Sequence, residues 1–99
     1  ETTRQSKISR LIQKDLSDIF QNETRKPGTL ISVSVVRVSP DLSIAKAYLS
    51  IFPPEKSQEI LESIQNNARS IRYELAQRVR FQLRKTPELM FFLDDSLDY

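Results

Sequence analysis

The 99-residue chain contains no cysteine, no histidine and no tryptophan, and its single glycine is Gly28. Most of these absences remove a class of chemistry. Without cysteine there is no disulfide, no thiolate nucleophile and no zinc ribbon. Without histidine there is no imidazole base, no Ser-His triad and no His-ligated metal. One glycine builds neither a phosphate-cradling Gly-rich loop nor a dinucleotide fingerprint. The apolar runs extend over a few residues only, far short of the ~20 that cross a bilayer, and no stretch has the apolar core of a signal peptide. These absences lead to the expectation of a cytoplasmic protein with no membrane association, no metal, no cofactor and no enzymatic activity.

What is present suits one small globular domain. Hydrophobic residues make up 38% of the chain, an ordinary share for a folded protein, and residues 1–99 are read as one domain whose packing alone must hold it. The chain begins at Glu1 rather than methionine and stops at Tyr99 just after the last predicted strand, so both termini are expected to continue in the full protein. The net charge of +2 is unevenly spread. Between Asn66 and Lys85 lie Arg69, Arg72, Arg78, Arg80, Arg84 and Lys85 against the single acid Glu74, a local +5. From Thr86 to Tyr99 there are Glu88, Asp94, Asp95 and Asp98 and no base. One segment is strongly cationic.

The apolar periodicity gives the element order. Ile8, Leu11, Ile12, Leu16, Ile19 and Phe20 follow helical spacing over Arg4–Gln21, and Lys7, Arg10 and Lys14 fall together on the opposite face. Asn22–Thr29, with Pro27-Gly28, is a break. Leu30–Val38 and Ile44–Ile51 alternate with a period of two around the turn signal Ser39-Pro40-Asp41, which predicts an antiparallel hairpin. The phase of the first strand shifts near Val35-Val36, consistent with a bulge or with burial on both faces. Pro53-Pro54 ends the second strand and opens a helix carrying Ile60, Leu61 and Ile64. Helical pattern then continues through Ala68, Ile71, Leu75, Val79 and Leu83. A straight helix from Glu55 to Thr86 would measure ~46 Å, longer than the roughly 33 Å diameter of a domain this size. A bend or break is therefore required, and the poor helix formers Asn66-Asn67 mark its place. Leu89–Leu93, apolar on both faces, reads as a central or covered strand. The fold class is α+β in the order α-β-β-α-α-β, with a three-stranded sheet packed on one side by three helices.

The candidate site comes from projecting the second long helix. Arg69, Tyr73, Arg80 and Arg84 fall within ~60° of one another, a line of three guanidinium groups for phosphates with a ring on which a base can stack. Arg72 and Lys85 join this set, with Arg72 also placed to bridge to Asp94 or Asp95. Arg78 lies one turn after Glu74, a surface pair of small energetic value. Lys7, Arg10 and Lys14 form an auxiliary contact stripe, or else a merely solvated face. Asp94-Asp95 after a strand read as a turn or cap rather than a Mg²⁺ site.

Three stretches carry a resemblance. Val36-Arg37-Val38-Ser39-Pro40-Asp41-Leu42, Ile71-Arg72 within a helix, and Pro87-Glu88-Leu89-Met90-Phe91-Phe92-Leu93-Asp94-Asp95-Ser96-Leu97 look like the ribosome-binding factor A family. The element order matches the type II KH architecture, and the resemblance covers nearly the whole chain. It implies a KH-like, non-enzymatic factor that binds the small ribosomal subunit near its decoding region and the 3′ end of the small-subunit ribosomal RNA. It further implies a role in late maturation and ribosomal RNA processing, support of growth in the cold, action as a monomer and an indirect link to a ribosomal GTPase that promotes release. The alternative is a domain that binds a ribosomal protein without touching RNA. Family members lack the Gly-x-x-Gly loop of other KH modules and carry an Ala-x-Gly kink between the two helices. Here that kink would fall on Asn66, Asn67, Ala68, Arg69 and Ser70, and its glycine is absent. The kink is then expected either from asparagine, whose side chain competes for backbone hydrogen bonds, or in a shallower form.

Overall fold

The computed structural model describes residues 3–23 and 29–94. The elements are α1 (Thr3–Glu23), β1 (Leu30–Val38), β2 (Ile44–Phe52), a single 3₁₀ turn (Pro54–Lys56), α2 (Ser57–Asn66), α3 (Ala68–Val79) and β3 (Glu88–Leu93). The order and the α+β class are those the periodicity predicts. The second helix opens with a 3₁₀ turn instead of an α turn, with Pro54 at its first position, where a missing N–H is harmless.

β1 and β2 form the expected antiparallel hairpin. β3 returns through the two-helix crossover to lie parallel to β2, giving the strand order β1-β2-β3. This corrects the expectation of a central or covered third strand, since β2 is the middle strand and β3 an edge. Leu89, Phe91 and Leu93 point into the core, while Met90 on the outer face is exposed. Phe92, also on that face, stacks on Tyr48 of β2, with ring centroids 5.4 Å apart and planes inclined by 28°. One aromatic neighbour thus gives Phe92 partial cover on the face that the helices leave open.

The helices cover one face of the sheet. From α1, Ile12, Leu16, Ile19 and Phe20 are almost completely buried, and Phe20 meets Phe91 edge-on at 6.0 Å. Ala45, Ala47, Leu49 and Ile51 of β2, Leu61 and Ile64 of α2, and Ile71, Leu75 and Val79 of α3 complete one continuous core. Burial of each large aliphatic side chain contributes about 1.5–3 kcal/mol.

Two irregularities have a visible cause. The register of β1 shifts between Val33 and Val35, so the phase change in the sequence is a β-bulge. The Gln13 side-chain amide of α1 donates to the carbonyls of Val33 and Ser34, both at 3.3 Å, satisfying groups that the disturbed ladder leaves over. The helix break falls at Asn67 (φ −101°, ψ 14°). Its side-chain Nδ2 donates to the Ser63 carbonyl at 3.0 Å, and its backbone N–H is shared between the carbonyls of Ser63 and Ile64, each at 3.1 Å. Asparagine therefore ends α2 by competing for its last carbonyls. The longest dimension of the molecule is 36 Å, so the unbroken ~46 Å helix would not fit.

Candidate nucleic-acid interface

α3 is shorter at its C-terminus than its apolar pattern predicts. Regular helix ends at Val79, and the chain turns at Arg80 through hydrogen bonds from Gln82 N–H and Leu83 N–H to the Val79 carbonyl, 2.9 and 2.8 Å. Leu83 is packed against the core from this turn. The reason lies downstream. Glu88 N–H donates to the Ser43 carbonyl at 2.8 Å and fixes where β3 begins, so the chain must leave the helix early enough to cross back to the sheet. Arg80, which caps α3 in helical conformation, is thus the last residue on the line from Arg69 and Tyr73, and Arg84 does not continue it.

Five of the predicted residues nevertheless converge by another route. The connection after α3 folds back along the helix and makes an open groove of about 560 Å³, lined by Arg69, Arg72 and Tyr73 from α3 and by Arg84, Lys85 and Thr86 from the connection. A second hollow of about 520 Å³ shares Arg69, Arg72 and Lys85 and runs on to Ser43, Ile44, Glu88 and Leu89. Together they form one cationic trough between the start of α3 and the edge of the sheet. Tyr73 is 68% exposed, so its ring is available as a stacking surface.

Arg72 is more than a solvated cation. Its Nη2 donates to the Thr86 carbonyl at 2.8 Å and its Nε to the Pro87 carbonyl at 3.3 Å. It pins the connection to α3 and so shapes the trough. The expected bridge to Asp94 or Asp95 is not made. Arg72 takes backbone carbonyls instead, the Asp94 carboxylate accepts from Ser34 Oγ at 3.2 Å, and Asp95 lies outside the described residues. The Arg78–Glu74 pair is likewise corrected, because Arg78 pairs with Asp18 of α1. The packing of α1 on α3 supplies a closer partner than the next helical turn does.

The remaining predicted residues lie apart from the trough. Arg80 is exposed, with its guanidinium carbon 4.7 Å from the centre of the Phe81 ring. Lys7, Arg10 and Lys14 are exposed along α1 and line neither hollow. Asn66, Asn67, Ala68 and Ser70 form the helix break, and Ala68 also contributes to the wall of the trough. Phe81, 85% exposed, is not among the residues singled out from the sequence. On the helical projection it falls about 160° from the buried Val79, opposite the apolar arc, so the periodicity that picked out the core also carried the signal for its exposure. Among the described residues no group of three acidic side chains is placed to hold a metal ion, and no helix is long and apolar enough to cross a membrane.

Residues 4–99 match the family model described as ribosome-binding factor A. A ribosome-binding factor A from Flavobacterium johnsoniae is 59% identical over 102 aligned residues, spanning 100% of this chain and 78% of its own. One from Cytophaga hutchinsonii is 46% identical over 101 aligned residues, spanning 100% of this chain and 76% of its own. Among solved structures, the crystal structure of ribosome-binding factor A from Thermus thermophilus superposes with a TM-score of 0.77 at 25% identity, covering 93% of this chain and 98% of that one. A homology model of the Thermus thermophilus factor, fitted into the cryo-EM map of its complex with the 30S subunit, gives a TM-score of 0.66 at 24% identity, covering 99% of this chain and 100% of that one.

Proposed function

Because this chain belongs to the ribosome-binding factor A family, we propose that it is a non-catalytic maturation factor of the small ribosomal subunit, which it binds by laying its cationic trough against ribosomal RNA. The observation that carries this reading is the convergence of Arg69, Arg72, Arg84 and Lys85 on one groove beside an exposed Tyr73, with no acid among the residues lining that groove. The groove is open and contains no pocket closed around a base. It therefore suits recognition of phosphates and RNA shape, with stacking on Tyr73, better than readout of base edges. The relative from Thermus thermophilus fitted into a 30S complex supports the choice of subunit. Docking near the decoding region and the 3′ end of the ribosomal RNA, action as a cytoplasmic monomer, a part in ribosomal RNA processing and in growth in the cold, and release promoted by a ribosomal GTPase belong to the same proposal, on the strength of the family resemblance.

Co-sedimentation with purified immature and mature small subunits across a salt series tests it. The protein is expected to prefer immature subunits and to dissociate as salt rises. The triple variant Arg69→Glu/Arg84→Glu/Lys85→Glu should lose binding while melting at the parental temperature, since all three side chains are exposed and unpaired among the described residues. Full binding by the folded triple variant would sink the trough as the interface. Binding that survives RNase digestion would instead favour contact with a ribosomal protein.

A further inference from the structure

The side chain least explained by folding is Phe81. It is 85% exposed, on a turn whose backbone is well tied down. Val79, two residues before it, is fully buried, Leu83 two residues after it packs on the core, and both turn hydrogen bonds end on the Val79 carbonyl. The ring is thus held away from the core by anchored neighbours on either side. It is also partly assembled into a recognition element, because the Arg80 guanidinium lies over it at 4.7 Å from the ring centre. A planar cation on one side of an aromatic ring leaves the opposite π-face free for a third flat group.

We infer that Phe81 and Arg80 form a base-stacking site outside the trough, at which an unstacked nucleobase of a single-stranded RNA segment rests on the free face of Phe81 while Arg80 meets an adjoining phosphate. The inference rests on the RNA-binding reading above and adds a second contact to it. Charge selects the ligand class. From Leu75 to Pro87 the chain carries Arg78, Arg80, Arg84 and Lys85 and no acid, so the ring sits in a strongly cationic stretch. An apolar protein pocket that swallowed Phe81 would have to desolvate the guanidinium lying on it without compensation. A nucleotide supplies both complements at once, a flat π-face for the ring and a phosphate for the cation.

The test uses the whole chain and two variants. Phe81→Ala and Phe81→Trp should both melt with the parent, because the side chain is exposed. Phe81→Ala should bind immature small subunits about tenfold more weakly than the parent, with Phe81→Trp retaining affinity. The chain has no tryptophan, so emission from Phe81→Trp reports from this position alone. Addition of protein-free small-subunit ribosomal RNA should quench it. Unchanged affinity for Phe81→Ala overturns the inference whatever the emission does, and leaves the trough standing provided that its triple variant loses binding. A weakened Phe81→Ala without quenching of the tryptophan also overturns it, assigning the ring to a ribosomal protein. Absence of salt-sensitive binding by the parent overturns the inference and the RNA-binding reading together.

Discussion

Asp41 shows how much one side chain organises in a short turn. Its Oδ1 accepts from Ser39 Oγ at 2.7 Å, from Ser43 Oγ at 2.7 Å and from Ser43 N–H at 3.1 Å, while Ser39 Oγ accepts from the N–H groups of Ser43 and Ile44 at 3.2 and 3.1 Å. The Ser39 hydroxyl first, then the Ser43 hydroxyl and N–H, hold the carboxyl pKa down at about 2, against an ordinary 3.8. All of these bonds favour the ionised form. The folded-state pKa is the lower one, so the stabilisation is complete above pH ~4 and is lost as pH falls toward 2. Carboxyl chemical shifts followed by NMR should place the Asp41 midpoint near 2, and a midpoint at the ordinary value would refute the three-donor turn. Asp41→Asn should remove the low-pH response of the turn. The sequence marks Ser39-Pro40-Asp41 as a turn, but the part played by Ser43 and the left-handed backbone of Leu42 (φ 62°) have no local signature. A second residue behaves oppositely. Ser9 Oγ is buried on α1 with no hydrogen-bond partner among the described residues, a net loss relative to its hydrated state. Ser9→Ala removes that hydroxyl and improves helix propensity, so thermal unfolding should shift upward by the equivalent of about 1 kcal/mol, and a lower melting temperature would contradict the assignment.

At the scale of elements, what was legible in the sequence was whatever depends on neighbours along the chain. The alternation in β1 and β2, the α1 stripe and the asparagine break each have their cause within a few residues, and each forms where periodicity places it. What was not legible depends on neighbours across the fold. Met90 and Phe92 look the same on a covered strand as on an edge whose outer ring stacks on Tyr48. The end of α3 carries no proline or glycine, because it is set by where β3 must start beside Ser43. The candidate site inherits this division. Its residue types were visible as a cationic segment, whereas their arrangement was not, since Arg84 and Lys85 reach Arg69 and Tyr73 through a returning connection rather than along a helix. Arg72 is the side chain that fixes this connection. Hydrogen bonds from a charged donor to carbonyls contribute about 1.5–3 kcal/mol each at most, and Arg72 is half-buried. Arg72→Ala should therefore lower stability in denaturant unfolding by about 1–3 kcal/mol, unlike substitutions of the exposed Arg69 or Arg84. It should also loosen residues 80–87 in amide exchange ahead of the rest of the protein. If Arg72→Ala proved no less stable than Arg69→Ala, Arg72 would be one more surface cation.

For the molecule as a whole, a net charge of +2 says little about attraction to a polyanion, because steering depends on where charge is concentrated. The trough gathers Arg69, Arg72, Arg84 and Lys85. Arg72 spends two of its donors on Thr86 and Pro87, which leaves about three cations free to neutralise phosphates. On the proposed reading, counterion release then sets the slope of log affinity against log salt at roughly −2 to −3, from about 0.7–0.9 per phosphate. Binding through the summed charge of the surface would give a slope set by net charge and nearly indifferent to position. Lys85→Ala and Lys14→Ala each remove one positive charge and separate these cases, since Lys85 lines the trough while Lys14 lies on α1. Lys85→Ala should flatten the slope by just under one unit, and Lys14→Ala should leave it within error of the parent. Equal flattening by both is the outcome that summed surface charge gives, with Lys7, Arg10 and Lys14 on α1 contributing as much as the cations of the trough.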